Sequence, residues 1–480
     1  MQDEGPLYRA LAAALKQAID GGEIALGTVL PPERALARSL TVSRHTVVAA
    51  YERLKAEGWL ESRQGSGTWV RRPSTKPTAG VDAVSTGRLF LSEDGLDQRT
   101  GPDQRQPDRE VVELSVAAVA ASPTVARLLS TPGPDDVALL ARHHGYLPHG
   151  LLGLRQQVAA RFAAQGLPTS EDQLVITTGA HQAISLVARQ LLQPGDTVLV
   201  ESPTFPGALD VFRRFAARAL PLPVDAQGVR PEVLADLLGR TEPRLVYLTP
   251  HFHNPTGAVL PLERRVTIAE LIAAHDTVLL EDLAMGDVAL DDLELPPPIA
   301  ALAPQATIHT VGSTAKLFWA GLRIGWLRAP ESWSVRMLAT KTVADLGSPL
   351  ISQLLARRML EHTEEVLVER RAELLPRRDL LAGLLEEHLP DWEWSLPPGG
   401  LSIWAQLPHG NAEELAEVAL RNGVAIVPGP ALSVDEGNRR ALRLVFSPPE
   451  DQLVRGIHRL TEAWGAYART SVRSSSRLLV

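Results

Sequence analysis

Leu7, Leu11, Leu15, Ala18 and Ile19 recur at helical spacing, and Gly21 and Gly22 close the pattern. A GTVLPP turn follows; residues 33–37 are then predicted as a second, brief helix, with Ser39 to Val42 as the turn into a third. Ser43 is a good N-cap for that third helix, predicted over 44–57 with Gly58 as its stop, because a serine hydroxyl can accept an orphan amide of the first turn. Val47, Ala50, Tyr51 and Leu54 form its inward stripe, which leaves Arg44, His45 and Thr46 at an exposed first turn. Two short strands, 59–62 and 68–70, flank the glycine-rich run Arg63-Gln64-Gly65-Ser66-Gly67.

From Val111 onward short apolar runs alternate with stretches of helical period. The runs 174–177, 197–200, 245–248, 277–280 and 308–311 are bounded by turn residues, and 181–192 and 262–274 carry the helical spacing. That alternation predicts an α/β domain with a mainly parallel sheet, whose ligands gather outside the carboxyl ends of the strands. Between the two patterned regions, 71–108 is rich in Gly, Asp, Gln and Pro with weak periodicity, apart from a short candidate docking segment at 84–91. The expected organisation is therefore a domain over 1–71, a flexible linker over 72–110 and a larger domain over 111–470.

Composition narrows the chemistry. The chain has 480 residues, of which 45% are hydrophobic, enough for two domains or more with a substantial core. It has no cysteine, which excludes disulfides, a thiolate nucleophile and a cysteine-ligated metal. MQDEGPLYRA is not a signal peptide, and no run of about 18 apolar residues suggests a membrane span, so a soluble, cytoplasmic protein is expected. Residues 1–72 hold ten Lys/Arg against eight Asp/Glu, a net of +2, while the remainder holds 38 against 48, a net of −10. A mildly basic head on an acidic body is compatible with nucleic-acid binding by the head.

Helix, short helix, tight turn, helix and glycine-rich hairpin is the order of a winged helix-turn-helix. That geometry sets the third helix in the major groove, with its first turn nearest the base edges. Arg44 suits a bidentate bond to guanine, Ser43 and Thr46 can hold phosphates, and His45 shares the same exposed turn. Gly65 and its neighbours let the wing backbone approach a duplex, and Arg63 supplies charge. The alternative is a three-helix cap with a solvated basic face. It explains the apolar stripes but not the polar residues crowded at one helix start.

The chemistry of the body centres on Thr310 to Trp326, TVGSTAKLFWAGLRIGW. Lys316 sits there in small, apolar surroundings, with Ser313 three residues before it and Arg323 seven after. Low polarity and a nearby cation depress a lysine pKa and let the amine attack a carbonyl, while a hydroxyl and a guanidinium can hold a phosphate. The plain reading is a buried turn whose Lys and Arg reach solvent. Elsewhere, Thr178-Gly179-Ala180-His181 follows a strand and opens a helix, either an anion site or only a strand-to-helix turn. Phe205 can stack on an aromatic ligand or simply pack, and Asn254 can bond a ring hydroxyl or merely mark an Asn-Pro-Thr-Gly turn. Asp282, ending TVLLED, can pair with a protonated pyridine nitrogen or cap a helix, with Glu281 on the opposite face. His251 and His253 are read as surface or satisfied histidines, and no metal is assigned. Together these residues ask for one ligand with a phosphate, an aromatic ring with a basic nitrogen, a ring hydroxyl and an aldehyde. Pyridoxal 5′-phosphate has all of them.

The stretch LPPERALARSLTVSRHTVVAAYERLKAEGWLESRQGSGTWV resembles the DNA-binding domain of GntR-type bacterial transcription factors, with Pro32 where a serine N-cap is common. That resemblance implies DNA contacts by Arg34, Arg44, Thr46 and the wing around Gly65. The body from about Val111 to Trp464 is similar to fold-type I, class I aminotransferases, with PPGGLSIW and VAIVPGPAL matching their small C-terminal domain. Joined to its head, the chain resembles the MocR/GabR regulators. The resemblance implies Lys316 as the Schiff-base lysine, Asp282 as partner of the pyridine nitrogen, Asn254 facing the ring hydroxyl and Phe205 stacking. It further implies Ala180, His181, Ser313 and Arg323 around the phosphate, Arg443 clamping a substrate α-carboxylate, and Tyr146 lent across a homodimer interface. One departure stands out. The family places a tyrosine two or three residues after the aspartate, where this chain has Ala284 and Met285, and this weighs against productive transamination.

The expected function is thus a transcriptional regulator that depends on pyridoxal phosphate, binds a double-stranded operator and works at the nucleoid. A small amino compound, or the cofactor itself, would be sensed by displacing Lys316. The alternative from another class is an active aminotransferase carrying a DNA-binding head.

Overall fold

The computed structural model describes residues 7–20, 28–40, 42–56, 59–63, 67–70, 111–130, 137–138, 140–142, 144–435 and 437–476. The chain forms two compact units, Met1–Val84 and Ser85–Val480. The expected linker and the candidate segment at 84–91 lie outside the described residues.

In the first unit, helices Leu7–Asp20, Glu33–Ser39 and Arg44–Ala56 accompany strands β1 (Val29–Leu30), β2 (Leu60–Arg63) and β3 (Gly67–Val70). Val47, Ala50, Tyr51 and Leu54 are buried as the stripe requires, joined by Leu30, Ala37, Trp59, Leu60 and Val70. The Ser43 hydroxyl accepts the Thr46 amide at 3.0 Å, the bond that starts the third helix there. The GTVLPP stretch is more than a turn: Val29 pairs with Trp69 and Leu30 with Thr68, so β1 adds a third antiparallel strand to the wing hairpin. Two residues ahead of Pro31-Pro32 are too few to show a period of two, which is why the pattern conceals them.

The second unit opens with β4 (Val112–Glu113). Its large sheet comprises β5 (Leu174–Thr177), β6 (Thr197–Ser202), β7 (Arg218–Asp225), β8 (Gly228–Val229), β9 (Leu245–Leu248), β10 (Val278–Asp282), β11 (Ile308–Ser313) and β12 (Gly325–Arg328), in the order β5-β12-β11-β10-β9-β6-β7-β8. The expected parallel core is present from β7 through β6, β9 and β10 to β11. β12, which lies inside the lysine stretch and was not expected as a strand, runs antiparallel between β5 and β11. Alternate residues pack into different cores: Leu279 lies in one cluster, and its neighbours Val278 and Leu280 lie in another across the sheet. Both faces are thus covered by apolar clusters.

A smaller antiparallel sheet follows, built from β13 (Glu393–Trp394), β14 (Ser402–Gln406), β16 (Val427–Pro428) and β17 (Ala441–Val445), while β15 (Val424–Ala425) pairs in parallel with β4. Helices Thr363–His388, Ala412–Arg421 and Glu450–Ser476 accompany it, and its apolar residues form a separate cluster with those of β4. The segment that enters the body is therefore stitched into the small subdomain before it reaches the large one. No helix among the described residues is long and apolar enough to cross a membrane.

Candidate functional site

At one end of the site, two glycines bring backbone against backbone. Gly179 has φ +80°, and a Cβ on Gly325 would lie 2.7 Å from the Gly179 carbonyl carbon. Only a bare backbone permits that approach, and it sets the Arg323 turn beside the start of helix Ala180–Leu191. Arg323, at φ +54°, donates from Nη2 to the Thr178 carbonyl at 3.1 Å. Ser313 lies level with Gly325, which lies level with Thr177, across β11, β12 and β5. Ala180, Ser313 and Arg323, far apart in the chain, thus share one edge of the sheet. His181 adds its ring, edge-on to Phe205 at 6.5 Å between centroids. A helix start and a guanidinium side by side are chemistry suited to an anion.

Asp282 occupies the carboxyl end of β10. Its Oδ1 accepts the Ala284 amide at 2.9 Å, and its Oδ2 accepts the hydroxyl of Tyr247 at 2.8 Å. Burial pushes the Asp282 carboxyl up, and those two bonds and the charge of Lys316 pull it back. Tyr247 is fully buried, and burial with the adjacent Asp282 keeps its phenol protonated well above the usual range. Sequence reasoning missed this tyrosine; the one signal was a hydroxyl in the otherwise apolar strand LVYL. Glu281 points to the other face, as expected, accepting the Ile299 amide at 2.6 Å. Met285 is buried among apolar side chains of the small subdomain, so the position next to Asp282 carries no phenol.

Lys316 Nζ donates to the Ala117 carbonyl at 2.7 Å. Burial, then the charges of Arg443 and Arg323, lowers its pKa from 10.5 to about 8, against the opposing pull of Asp282. About one amine in ten is then neutral at pH 7. Arg443, on β17, is buried, and burial lowers its guanidinium pKa to about 10. It donates to Asn254 Oδ1 at 3.1 Å and to the Ser115 carbonyl, while its buried Nε has no hydrogen-bond partner among the described residues. No ion pair between Arg443 and a carboxylate occurs among them. A buried guanidinium held only by neutral oxygens is under-compensated, and a ligand carboxylate is its natural partner.

The remaining expected residues are less engaged. Tyr146 is exposed and makes no contact with this cluster among the described residues. His251 and His253 are not surface residues. His251 accepts from buried Arg265 at 2.8 Å and His253 bonds Thr256 at 2.8 Å, so both serve the loop that carries Asn254. In the head, Arg34, Ser43, Arg44 and His45 are exposed and Thr46 is half-buried. Arg44 lies 3.4 Å from Glu33 Oε2, an exposed pair worth little to the fold. Arg63 ends β2, and Gly65 lies outside the described residues.

Comparison with known proteins agrees with both units. Residues 7–70 match the gntR family of bacterial regulatory proteins, and residues 139–460 match the aminotransferase class I and II family. The HTH-type transcriptional regulator YdfD of Bacillus subtilis is 30% identical over 95% of either chain. The probable rhizopine catabolism regulatory protein MocR of Rhizobium meliloti is 29% identical over 81% of this chain and 78% of its own. Among solved structures, LysN, the α-aminoadipate aminotransferase of Thermus thermophilus complexed with N-(5′-phosphopyridoxyl)-L-leucine, superposes with a TM-score of 0.68 at 27% identity, covering 75% of this chain and 93% of its own. Pyridoxal 5′-phosphate is the cofactor of this fold. The chain belongs to the aminotransferase class I and II family and carries a gntR-family helix-turn-helix head, the arrangement of a MocR-type, pyridoxal-phosphate-dependent transcriptional regulator.

Proposed function

We propose that the body binds pyridoxal 5′-phosphate at Lys316 and senses an amino compound bearing a carboxylate, and that the head converts this occupancy into a change in operator binding. The observation that carries the reading is Arg443: a buried guanidinium with an unpartnered Nε, close enough to Lys316 to depress its pKa. A protein that needed Arg443 only for its fold would have surrounded it with acceptors. The residues present fit the cofactor. The amides at Ala180 and His181, with Ser313 and Arg323, are positioned to receive its phosphate, and the Gly179–Gly325 contact leaves no Cβ in that cradle. Asp282, held by Tyr247 and Ala284, would pair with a ring nitrogen, while Asn254 would meet a ring hydroxyl and Phe205 a ring face. When bound, the cofactor supplies a reactive carbonyl and an electron-withdrawing ring. The chain supplies a partly neutral amine at Lys316 and a carboxylate clamp at Arg443. The phenol nearest Asp282 is already committed to it, which favours sensing over sustained transamination.

Residues 1–71, 72–110 and 111–470 serve as head, linker and effector body. Arg34, Ser43, Arg44, His45, Thr46, Arg63 and Gly65 form the DNA-binding surface, supported by exposure at the start of the third helix. Two copies act together in the cytoplasm, with Tyr146 reaching the partner's site. Val335 and Val343 on helix Glu331–Asp345, Leu346 at its C-cap and Ile351 on helix Leu350–Glu361 are exposed, and the Gly347 turn between those helices packs on the Leu147 carbonyl beside Tyr146. Exposed apolar side chains on the elements flanking that turn support a paired face.

The test uses full-length protein and a DNA fragment that it selects from a genomic library. Its affinity is measured alone, with pyridoxal 5′-phosphate, and with the cofactor plus each common amino acid, for wild type and Lys316→Ala. Wild type is expected to change affinity on ligand addition and the variant to be unresponsive. An unchanged response in the variant would overturn the assignment, and steady formation of keto acid would establish the aminotransferase instead.

A further inference from the structure

Lys316 and Lys341 are held in opposite ways. Lys316 Nζ donates to one acceptor, the Ala117 carbonyl. Lys341, fully buried on helix Glu331–Asp345, spends all three hydrogens of its ammonium, on Gln182 Oε1 at 2.8 Å, Asp345 Oδ2 at 2.6 Å and Ser348 Oγ at 2.9 Å. Nothing is left over for a ligand. Its partners, however, all lead to the turn that opens helix Ala180–Leu191. Gln182 Oε1 also accepts the Thr178 amide at 2.8 Å, and Ser348 Oγ lies 3.1 Å from Thr178 Oγ1. The Thr178 carbonyl accepts Arg323 Nη2 at 3.1 Å. Amide, hydroxyl and carbonyl of Thr178 are thus each engaged, two of them by groups that Lys341 holds.

Thr178 precedes Gly179, the N-cap of that helix. Glycine brings no side-chain acceptor to a helix start, so the aim of the first amides is set from outside the cap. Gln182, in the first turn, sets it by reaching back to the Thr178 amide, as the glutamine of a capping box reaches back to its cap. A side-chain amide can sit either way round, and here the two ways differ in charge. As it stands, Oε1 meets the Lys341 ammonium and Nε2 donates to Asp345 Oδ2 at 2.7 Å. Reversed, an NH2 would meet the ammonium and an oxygen the carboxylate. The Lys341–Asp345 pair therefore permits only the orientation that gives the Thr178 amide its acceptor. We propose that Lys341 is a positioning residue for the cofactor phosphate: through Gln182 and Ser348 it fixes Thr178, and with it both the Arg323 guanidinium and the start of helix Ala180–Leu191. This rests on the reading that Ala180, His181, Ser313 and Arg323 receive that phosphate. Lys341 itself touches no ligand. Its loss frees the Gln182 amide to turn, and the cradle loses its aim while the apolar cores around it stay intact.

Paired titrations of the full chain test this, one with pyridoxal 5′-phosphate and one with pyridoxal, which lacks the phosphate, both followed by visible absorbance. In Lys341→Met, affinity for the phosphate-bearing ligand is expected to fall by about 10-fold or more, while affinity for pyridoxal stays within about 2-fold of wild type. Inorganic phosphate, read by its slowing of pyridoxal phosphate uptake, is expected to need a concentration about 10-fold higher in the variant. A lysine that only supports the fold would lower the melting temperature and leave both the ratio of the two affinities and the phosphate competition as in wild type. That result overturns the positioning role. Should Lys341→Met fail to fold, Gln182→Met, at a half-buried position, carries the same expectation and the same overturning result. A wild-type absorbance band with an unchanged ratio in the variant overturns the role of Lys341 and leaves the proposed function standing. Absence of any wild-type band with pyridoxal phosphate defeats that function, and the role of Lys341 with it.

Discussion

Each guanidinium nitrogen of Arg265 is answered by another part of the chain; one nitrogen of Arg443 is not. Both side chains are buried, and burial lowers both to a pKa of about 10, so burial alone does not separate them. Their partners do. Arg265 donates to the carbonyls of Leu260 and Pro250 at 2.8 and 2.9 Å, to Pro296 and Pro297 at 3.0 and 2.9 Å, and to a neutral His251 at 2.8 Å. Burial and the charge of Arg265 hold that histidine near pKa 3, which keeps its ring an acceptor. Arg265 thus staples both ends of the Asn254 loop to the Pro296–Pro297 turn. Arg443 holds the Asn254 side chain and the Ser115 carbonyl, and its Nε has no partner among the described residues. A satisfied buried cation marks architecture, and an unsatisfied one beside a depressed lysine marks a candidate site.

That contrast is open to experiment. Arg265→Met removes a shared donor from four carbonyls, of which Pro250 keeps the Leu260 amide, and is expected to cost at least about 3 kcal/mol in urea unfolding. Arg443→Met removes a poorly compensated charge, and its unfolding free energy is expected to stay within about 1 kcal/mol of wild type. Equal losses would erase the distinction between the two regions. Arg443→Met is expected instead to weaken amino-acid binding to the cofactor-loaded protein by about 2–5 kcal/mol, measured by spectral titration. Unimpaired binding of carboxylate-bearing amines would remove Arg443 from the site.

The pH dependence gives the smallest effect and the sharpest sign. Only the neutral amine of Lys316 is nucleophilic, so cofactor uptake is expected to quicken as pH rises and to level off above a midpoint of about 8. Asp282 raises that pKa and Arg443 lowers it, so Asp282→Asn should move the midpoint down and Arg443→Met should move it up. Stopped-flow uptake from pH 6 to 10 is the measurement; shifts in the same direction in both variants would contradict the electrostatics.

Much of this was legible in the sequence because it rests on local rules. The Ser43 cap, the stripe from Val47 to Leu54 and the apolar strand runs each follow from spacing over a few residues. The strand-end polar residues Asn254, Asp282 and Lys316 could be picked out for the same reason. What stayed hidden depends on distant chain. β12 is a four-residue strand whose place is fixed by Gly312, where a Cβ would lie 2.2 Å from Trp326 Nε1. Tyr247 acquires meaning only when β9 lies beside β10. The carbonyls of Ser115 and Ala117, which accept from Arg443 and Lys316, leave no trace at all, since every residue has a carbonyl. Arg265 drew no reading from the sequence, since only distant chain buries it.

The whole reading turns on which amine holds the cofactor. Full-length protein should be loaded with pyridoxal 5′-phosphate, reduced with borohydride, digested and mapped by mass. A phosphopyridoxyl group on Lys316 at close to one per chain, and none in Arg443-intact Lys316→Ala, is the expected result. Modification scattered over surface lysines, or confined to another position such as Lys341, would contradict it.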